Sequence, residues 1–240
     1  MKLSEAMREK MLLSFELFPP KTEKGMENLP GTIDHLMKYK PAYISCTYGA
    51  GGGNVGANRE VCQMIKKAGS TPVTHFTVIR NTKEGIKEQL DQYLVEGVDH
   101  MLALRGDIPL GETTTCGDFN YATDLVKFVR DSYGDKFEIA VAGSPEGHIA
   151  CRSLESDIAV LKQKQDNGAD YIMTQLCWDM EQFKYWLDAI RKAGITMPVD
   201  VGVMPILDQA ATINMALSRN GCVMDRELSR MISRHWLVPN

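Results

Sequence analysis

Glu16 is a carboxylate inside an otherwise apolar segment, Ser14–Pro20 (SFELFPP). Its neighbours Phe15 and Leu17 are large and apolar. A carboxylate in such surroundings is partly removed from water, which raises its pKa towards that of a useful general acid. The segment therefore predicts a proton donor at Glu16. A surface glutamate on an edge strand is the alternative, and the local pattern leaves it open.

Further polar side chains take corresponding places in the apolar segments that follow. They stand within or directly after such a segment, and they are Thr47, Tyr48, His75, Arg105, Asp107, Ser144, Glu146, His148 and Gln175. In a βα barrel, the carboxyl ends of the strands and the loops after them carry the active site. We therefore expect these side chains to gather with Glu16 on one rim.

Two of these residues also have ordinary structural explanations. Asp107 suits a salt bridge with Arg105, or a cap for the loop that follows it. A single histidine such as His75 is often a packed core residue that is hydrogen-bonded. Both alternatives stay open on the sequence.

The glycine-rich loop Gly51–Gly56 (GGGNVG) formally matches G-x-G-x-x-G between a strand and a helix, as in dinucleotide-binding proteins. Two observations oppose that interpretation. The loop follows the second strand-like segment rather than the first, and no Asp or Glu ends the next strand to bind a ribose. We interpret it as a flexible loop over an active-site mouth, with a NAD(P)-binding dehydrogenase as the alternative.

The elements that must position these residues appear as an alternation of two patterns. Nearly continuous apolar segments, typical of buried parallel strands, cover residues 12–18, 43–48, 72–79, 100–104, 138–142, 171–176 and 199–206. Amphipathic helical patterns cover residues 83–96, 153–165, 180–192, 209–218 and 225–236. The side chains expected to point inward are Ile86, Leu90, Leu94, Phe183, Trp186, Leu187 and Ile190. Ser153 and Ser156 are candidate caps, and the glycines of KKAG, DNGA and RKAG are typical of helix ends.

This alternation predicts an α/β fold. About seven strand–helix units without a linker favour a (β/α)8 TIM-barrel-like architecture over a doubly wound sheet. We expect one catalytic domain that covers residues 1–240, a length that a single α/β barrel commonly reaches.

Composition excludes several classes of partner. A net charge of −4 provides no basic surface for a nucleic acid or an anionic membrane. No apolar run reaches the ~18 residues of a membrane helix, and the N-terminal segment carries charges where a signal peptide would be apolar. The six cysteines show no C-x-x-C or Cys/His spacing, so we expect reduced thiols and no metal. We expect a cytoplasmic protein.

At these same residues the sequence resembles the methylenetetrahydrofolate reductase family. The matching segments, in the family's order, are SFELFPPKT (14–22), ISCTYGAGG (44–52), THFT (74–77), LALRGDIP (102–109), YATDLV (121–126), VAGSPEGH (141–148), LKQKQDNGAD (161–170), TQLCWD (174–179) and VGVMPI (201–206). They run through nearly the whole chain. The motifs S-F-E-x-F-P-P and A-L-R-G-D together are far more specific than the glycine motif.

The resemblance implies a (β/α)8 barrel that holds FAD, with FMN as the alternative, and reduces 5,10-methylenetetrahydrofolate to 5-methyltetrahydrofolate. It implies that Glu16 protonates N10 of the folate and opens the imidazolidine ring to a 5-iminium cation. The iminium carbon then accepts hydride from flavin N5, and NAD(P)H restores the reduced flavin. A second catalytic residue would be Asp107, whose negative charge favours the cationic folate.

The resemblance also assigns binding residues. Those for the flavin are Thr47, Tyr48, Ala50, His75, Leu104, Arg105, Gly106, Asp107, Tyr121, Ala122, Ala142, His148, Asp157 and Lys164. Of these, Arg105, His148 and Lys164 suit the ribityl–diphosphate portion, since cations and N–H donors pair with phosphate. The folate would contact Glu16, Asp107 and Gln175.

Several positions depart from the family pattern. Ser144 stands where an aromatic residue often faces the flavin, Val160 replaces a polar residue, and Gln209 stands where a Phe helps to hold nicotinamide and folate. These departures leave the electron donor open between NAD(P)H and a partner protein.

The family's last strand and helix are not recognisable in the sequence. We therefore expect a C-terminally short barrel that an electron-delivering subunit or a homo-oligomer closes. The alternative function is a flavin- and folate-binding subunit of a larger redox complex, without independent NAD(P)H activity.

Overall fold

Strands and helices alternate along residues 2–48, 55–108, 111–217, 224 and 226–237, which the computed structural model describes. The strands are β1 (Ser14–Leu17), β2 (Tyr43–Cys46), β3 (Thr71–Thr77), β4 (His100–Leu104), β5 (Glu138–Gly143), β6 (Tyr171–Thr174) and β7 (Val199–Asp200). The helices are α1 (Leu3–Glu9), α2 (Glu23–Met37), α3 (Val55–Lys67), α4 (Lys83–Val95), α5 (Ala122–Tyr133), α6 (Leu154–Asp166), α7 (Met180–Lys192), α8 (Gln209–Leu217) and α9 (Arg226–Leu237).

The seven described strands follow one another in the sheet in chain order, from β1 to β7. Their pairing is parallel between β1 and β2, β2 and β3, β3 and β4, β4 and β5, and β6 and β7. Sequential parallel strands, each followed by a helix, are the pattern of the (β/α)8 barrel, whereas a doubly wound sheet reverses its strand order. The prediction of an α/β, TIM-barrel-like fold with about seven βα units is therefore confirmed.

The chain divides into two compact units. The first unit comprises Met1–Val141 and Asn167–Tyr171, and the second comprises Ala142–Asp166 and Ile172–Asn240. The single catalytic domain expected over residues 1–240 stays a prediction.

In the first unit, the two faces of the strands differ in chemistry. Side chains alternate between faces along a strand, and partners in register share a face. The register aligns Glu16 with Ser45, Ser45 with Val73, Val73 with His100 and His100 with Glu138. We call this side, which also carries His75 and Thr77, the polar face. The opposite side is mainly apolar and packs against helices, and its buried members include Ile44, Cys46, Phe76, Met101 and Ile139.

The predicted helices begin and end close to their expected positions. Thr82 caps α4, since its Oγ1 accepts a hydrogen bond from the N–H of Gly85 (3.1 Å). Asp179 caps α7 by accepting from the N–H groups of Glu181 and Gln182 (2.9 and 3.0 Å). Of the side chains predicted to point inward, those buried are Ile86, Leu90, Phe183, Trp186 and Ile190, whereas Leu94 and Leu187 are half-buried.

The glycines predicted to end helices have the left-handed backbone that such ends require. Gly69, Gly168 and Gly194 have φ values of 90°, 103° and 75°. Ser153 immediately precedes α6, and its Oγ accepts from the N–H of Ser156 (3.2 Å). These predictions are confirmed for the three glycines and for Ser153, whereas Ser156 lies inside α6 rather than before it.

The last strand is much shorter than expected. The apolar pattern predicts a strand over 199–206, but β7 ends at Asp200. The N–H of Gly202 donates to the Oγ1 of Thr174 (2.9 Å) rather than continuing the backbone ladder. Pro205 has no N–H to donate. The prediction of a long seventh strand is therefore wrong beyond Asp200.

A buried ion-pair network lies where β4 and β5 begin, on the polar face. The Glu138 side chain, 3% exposed, lies 3.0 Å from Nε2 of His100, and Nδ1 of His100 is 2.7 Å from Asp99. The same carboxylate accepts from the N–H groups of Leu3 and Ser4, both at 2.7 Å, and so holds the start of α1. We call these groups the Glu138 network. Its polar atoms are paired across distant parts of the first unit.

The network shifts the pKa values of both central groups. Burial opposes ionisation of Glu138, but hydrogen bonds from His100, Ser4 and Leu3 outweigh it and lower the pKa of Glu138 to about 2. Burial likewise opposes protonation of His100, but bonding to Asp99 and Glu138 raises the pKa of His100 to about 9. Both groups are therefore charged at neutral pH.

Candidate functional site

Glu16 and His75 meet on the polar face, near the carboxyl ends of β1 and β3. Nε2 of His75 lies 3.7 Å from Oε2 of Glu16. The side chain of Glu16 is 45% exposed, so its apolar neighbours remove it from water only in part. β1 stands first in the strand order, which agrees with the edge-strand alternative for its position but does not explain the approach to His75.

His75 is a buried, uncharged histidine. Burial lowers the pKa of His75 to about 4, so the imidazole is neutral at physiological pH. Its Nε2 has no hydrogen-bond partner among the described residues. A core histidine with a purely structural role normally has its ring nitrogens bonded. The Nε2 of His75 is therefore suited to contact a ligand.

Two further buried polar atoms on this face have no hydrogen-bond partner in the described structure. They are Oγ of Ser45 and Oγ1 of Thr77, in residues that are 1% and 2% exposed. Ser45 is in register with Glu16, and Thr77 lies two residues beyond His75 on the same face. Sequence analysis missed both, although their spacing from Glu16 and His75 could have indicated them. Together these atoms form a region of the polar face that is suited to bind a polar ligand.

The end of β2 carries two of the predicted flavin residues. The N–H of Thr47 donates to the carbonyl of Leu17 (2.9 Å), which continues the sheet by one residue. Tyr48 is buried, its hydroxyl donates to Gln89 (2.8 Å), and burial raises the pKa of Tyr48 to about 12. Ala50 and the glycine-rich loop up to residue 54 lie outside the described residues.

The end of β4 carries a tight turn that presents Asp107. Gly106 has a φ of 86°, and a Cβ added there would lie 2.8 Å from Cγ2 of Ile79, so glycine is required. Leu104 is half-buried, and Nε of Arg105 donates to the carbonyl of Gly106 (3.2 Å). Asp107 is exposed, and the described residues contain no ion pair between it and Arg105. The salt-bridge explanation of Asp107 is therefore not met in this structure.

Tyr121 and Ala122 stand at the start of α5. Oδ2 of Asp124 accepts from the N–H groups of Asn120 and Tyr121 (3.1 and 2.9 Å), which fixes this helix end. The Tyr121 ring is 62% exposed. The first unit thus holds an exposed aromatic ring on a backbone that is firmly capped.

In the second unit, the structure brings four predicted flavin residues together. Nζ of Lys164 donates to the carbonyl of Ala142 (2.9 Å), and the N–H of His148 donates to Oδ2 of Asp157 (3.2 Å). Cys151 also contacts Asp157, with its Sγ 3.6 Å from Oδ1. Burial lowers the pKa of Lys164, while the negative charge of Asp157 acts in the opposite direction. The cluster offers a half-buried cation and an exposed histidine, groups that can bind an anion.

Gln175, also in the second unit, follows the end of β6. Its N–H donates to the carbonyl of Gly143 (2.8 Å), and its Oε1 accepts from the N–H of Leu176 (2.8 Å). The side chain is half-buried and fixed by these neighbours. Its predicted role with the folate stays a prediction.

The described residues contain no group of three or more His, Cys, Asp and Glu side chains that could hold a metal ion. Across the same residues, the helices are all too short or too polar to cross a membrane.

A family model decides which family this arrangement represents. The model described as methylenetetrahydrofolate reductase matches residues 2–228. The chain belongs to the methylenetetrahydrofolate reductase family.

Curated members of this family are similar over most of the chain. Methylenetetrahydrofolate reductase (NADH) 1 of Arabidopsis thaliana is 38% identical over 216 residues, which are 85% of this chain and 36% of the relative. The 5,10-methylenetetrahydrofolate reductase of Escherichia coli is 34% identical over 195 residues, which are 81% of this chain and 64% of the relative. The chain thus spans a little over a third of the plant reductase and just under two thirds of the bacterial one.

Solved structures are similar in fold. A protein from Clostridium thermocellum, described as uncharacterized and binding two copies of 5-methyl-5,6,7,8-tetrahydrofolic acid, matches with a TM-score of 0.68 at 12% identity and covers 97% of this chain and 80% of its own. Phosphonopyruvate hydrolase matches with a TM-score of 0.61 at 12% identity, over 98% of this chain and 83% of its own. Because such folds host unrelated reactions, these likenesses support the architecture alone.

Proposed function

We propose that this protein reduces 5,10-methylenetetrahydrofolate to 5-methyltetrahydrofolate with a bound flavin, FAD rather than FMN, and that Glu16 is its general acid. The observation that carries the proposal is the set of buried polar atoms that have no hydrogen-bond partner among the described residues, on the face that holds Glu16. These atoms are Ser45 Oγ, His75 Nε2 and Thr77 Oγ1. Family membership supports a folate as the substrate.

The residues present suit a flavin. The isoalloxazine ring carries hydrogen-bond donors and acceptors along its polar edge, which the unpartnered atoms of His75 and Thr77 can meet. Within the second unit, Lys164 and His148 offer N–H donors of the kind that bind phosphate groups, and Lys164 is a half-buried cation. When bound, the flavin supplies a hydride carrier for the reduction of the folate.

Glu16 would deliver a proton to N10 of the folate. For this it must hold the proton before the substrate reacts. A charged imidazolium beside Glu16 would favour the ionised carboxylate over the protonated acid. Burial keeps His75 neutral, so this effect is absent. The neutral His75 therefore adds no positive charge beside Glu16, whose side chain stays accessible to substrate.

Asp107 would favour the cationic state of the folate. Its carboxylate is exposed and forms no ion pair with Arg105 in the described structure, so its negative charge is not neutralised there. A fixed negative charge stabilises a developing cation. Gln175 would contact the pterin through its half-buried amide.

The reoxidation of photoreduced protein by methylenetetrahydrofolate, measured anaerobically in single turnover, tests the proposal. Glu16→Gln keeps the size of the side chain and removes the acid. We expect a rate about 100-fold or more below that of the unchanged protein, as for the loss of a general acid. A suitable control is Glu27→Gln, the same chemical change at an exposed position of α2.

The outcomes are distinct. A purified protein that binds neither FAD nor FMN would refute the proposed function. A flavoprotein in which Glu16→Gln reoxidises with folate as fast as Glu27→Gln would refute the role of Glu16 alone.

The electron donor needs a separate measurement. We propose NAD(P)H, in agreement with the NADH that the name of the Arabidopsis thaliana relative states. Anaerobic mixing of the oxidised protein with NADH or NADPH should bleach the flavin. A flavin that folate reoxidises but neither nucleotide reduces would instead support the alternative, a subunit that receives electrons from a partner protein.

A further inference from the structure

Asn58 is a fully buried amide whose hydrogen-bonding groups are all engaged. It lies in the first turn of α3 and is 0% exposed. Its Nδ2 donates to the carbonyls of Cys46 and Thr47, at 2.9 and 3.2 Å. Its Oδ1 accepts from the hydroxyls of Thr74 and Tyr93, at 2.8 and 2.7 Å. One side chain thus joins α3 to β2, β3 and α4.

The two carbonyls held by Asn58 lie where β2 ends. Cys46 is the last residue of the strand, and among the described residues the N–H of Thr47 extends the ladder by donating to the carbonyl of Leu17. The Asn58 amide holds both of these carbonyls and so fixes the backbone from which the side chains of Thr47 and Tyr48 project.

The Oδ1 of the Asn58 amide contacts Thr74, the residue directly before His75. Oγ1 of Thr74 lies 2.8 Å from Oδ1 of Asn58 and 3.2 Å from the carbonyl of His75. The contacts of Asn58 therefore extend from the end of β2 to the part of β3 that carries His75. A buried amide is costly unless its groups are satisfied. Here two of its bonds hold the backbone that carries the predicted ligand contacts Thr47 and Tyr48.

We propose that Asn58 is a positioning residue, which sets the backbone at the end of β2 so that Thr47 and Tyr48 can bind the flavin. This inference rests on the proposed function. Asn58 acts from the helix side of the sheet, through the carbonyls of Cys46 and Thr47, because its fully buried side chain offers no exposed surface to a cofactor.

Asn58→Asp and Asn58→Ser test this role in the full chain. Asn58→Asp keeps the shape and an acceptor for Thr74 and Tyr93 but removes the Nδ2 donor. Asn58→Ser removes the donors to both carbonyls without introducing a charge. Tyr93→Phe is the matched control, because it removes a bond to the same amide on the side away from the carbonyls.

Flavin dissociation constants, flavin absorption bands and thermal midpoints are measured for the four proteins. We expect all three variants to unfold at lower temperature. Flavin affinity should fall about tenfold or more, with shifted absorption bands, in the two Asn58 variants, and change about twofold or less in Tyr93→Phe. A purely structural role would lower the thermal midpoint without shifting the bands.

Each failure is distinguishable. An unchanged protein that binds no flavin overturns the proposed function and, with it, the positioning role that rests on flavin binding. A flavin-binding protein whose Asn58 variants keep its affinity and absorption bands overturns the positioning role. If both Asn58 variants fail to fold while Tyr93→Phe folds, the amide is required for the fold, and the positioning role is also overturned.

Discussion

The polar face of the first unit carries buried polar groups in two regions, and only one of them satisfies these groups internally. Where β4 and β5 begin, Glu138 and His100 form an ion pair, and two N–H groups of α1 complete the bonding of the carboxylate. Near the ends of β1 and β3, Glu16 approaches a neutral His75. The buried atoms that have no hydrogen-bond partner there, among the described residues, are Ser45 Oγ, His75 Nε2 and Thr77 Oγ1.

We interpret this difference as a separation of stability from the proposed binding role within one sheet. A satisfied buried network fixes the fold, whereas unsatisfied buried groups are a cost that a ligand can remove. In parallel α/β barrels, the amino ends of strands generally serve stability and the carboxyl ends serve chemistry. The two regions of this face follow that division, which predicts opposite responses to the same kind of substitution.

The largest effect on stability is expected at the Glu138 network. Glu138→Gln removes the charge that His100 faces and weakens the bonds to Leu3 and Ser4. Breaking a buried ion pair from one side costs about 3–5 kcal/mol in the free energy of unfolding. Urea unfolding checks this, with Glu27→Gln on the surface of α2 as the control. A loss no larger than that of the control would contradict the stabilising role.

The pH dependence of stability should distinguish the two regions. The pKa of His100 is raised from 6.5 to about 9, so its contribution is complete below pH 6.5 and is lost as the pH rises through 9. The pKa of His75 is lowered from 6.5 to about 4, so its contribution is present above pH 6.5 and is lost as the pH falls through 4. Each change should be on the order of 3 kcal/mol.

Two variants assign these changes. His100→Asn should flatten the unfolding free energy between pH 6.5 and 9, and His75→Gln should flatten it between pH 6.5 and 4. Urea unfolding across the pH range provides the measurement. If His75→Gln leaves the acid limb unchanged, His75 is not the buried neutral group described here.

The smallest expected effect on stability is at Thr77. Thr77→Val replaces a buried hydroxyl that has no partner among the described residues, so the free energy of unfolding without ligand should change by less than about 1 kcal/mol. Thr74→Val, on the same strand, removes a hydroxyl bonded to Asn58 and should destabilise by about 1–3 kcal/mol. Flavin affinity should fall severalfold in Thr77→Val. Equal destabilisation by the two variants would show that Thr77 Oγ1 has a structural partner.

The part of this arrangement that the sequence could predict depends on local pattern. Helix α7, its inward residues and the glycine after it follow from spacing and capping, and Glu16 and His75 stand out as polar residues in apolar segments. The Glu138 network has no local signal, because its carboxylate bonds to Leu3, 135 residues away. A charged residue at the start of a strand ordinarily indicates a solvent-exposed position.

Other features depend on register and on side chains that distant elements supply. Ser45 and Thr77 can be placed on the same face as Glu16 only once the register of β1, β2 and β3 is known. Asn58, in a polar-looking stretch of α3, is fully buried because Thr74 and Tyr93 converge on it. The apolar segment after Val199 predicted a long strand. The strand ends early because the N–H of Gly202 donates to the side chain of Thr174 instead of to the backbone of a neighbouring strand.

The most direct test compares two glutamates of the polar face in one assay. Single-turnover reoxidation of the photoreduced protein by methylenetetrahydrofolate is measured for Glu16→Gln and Glu138→Gln at a temperature where both are folded. We predict that Glu16→Gln is stable and slower by about 100-fold or more, and that Glu138→Gln is less stable but reoxidises at the rate of the unchanged protein. Normal reoxidation in Glu16→Gln, or an equal loss of rate in both variants, would contradict the separation of chemistry from stability on this face.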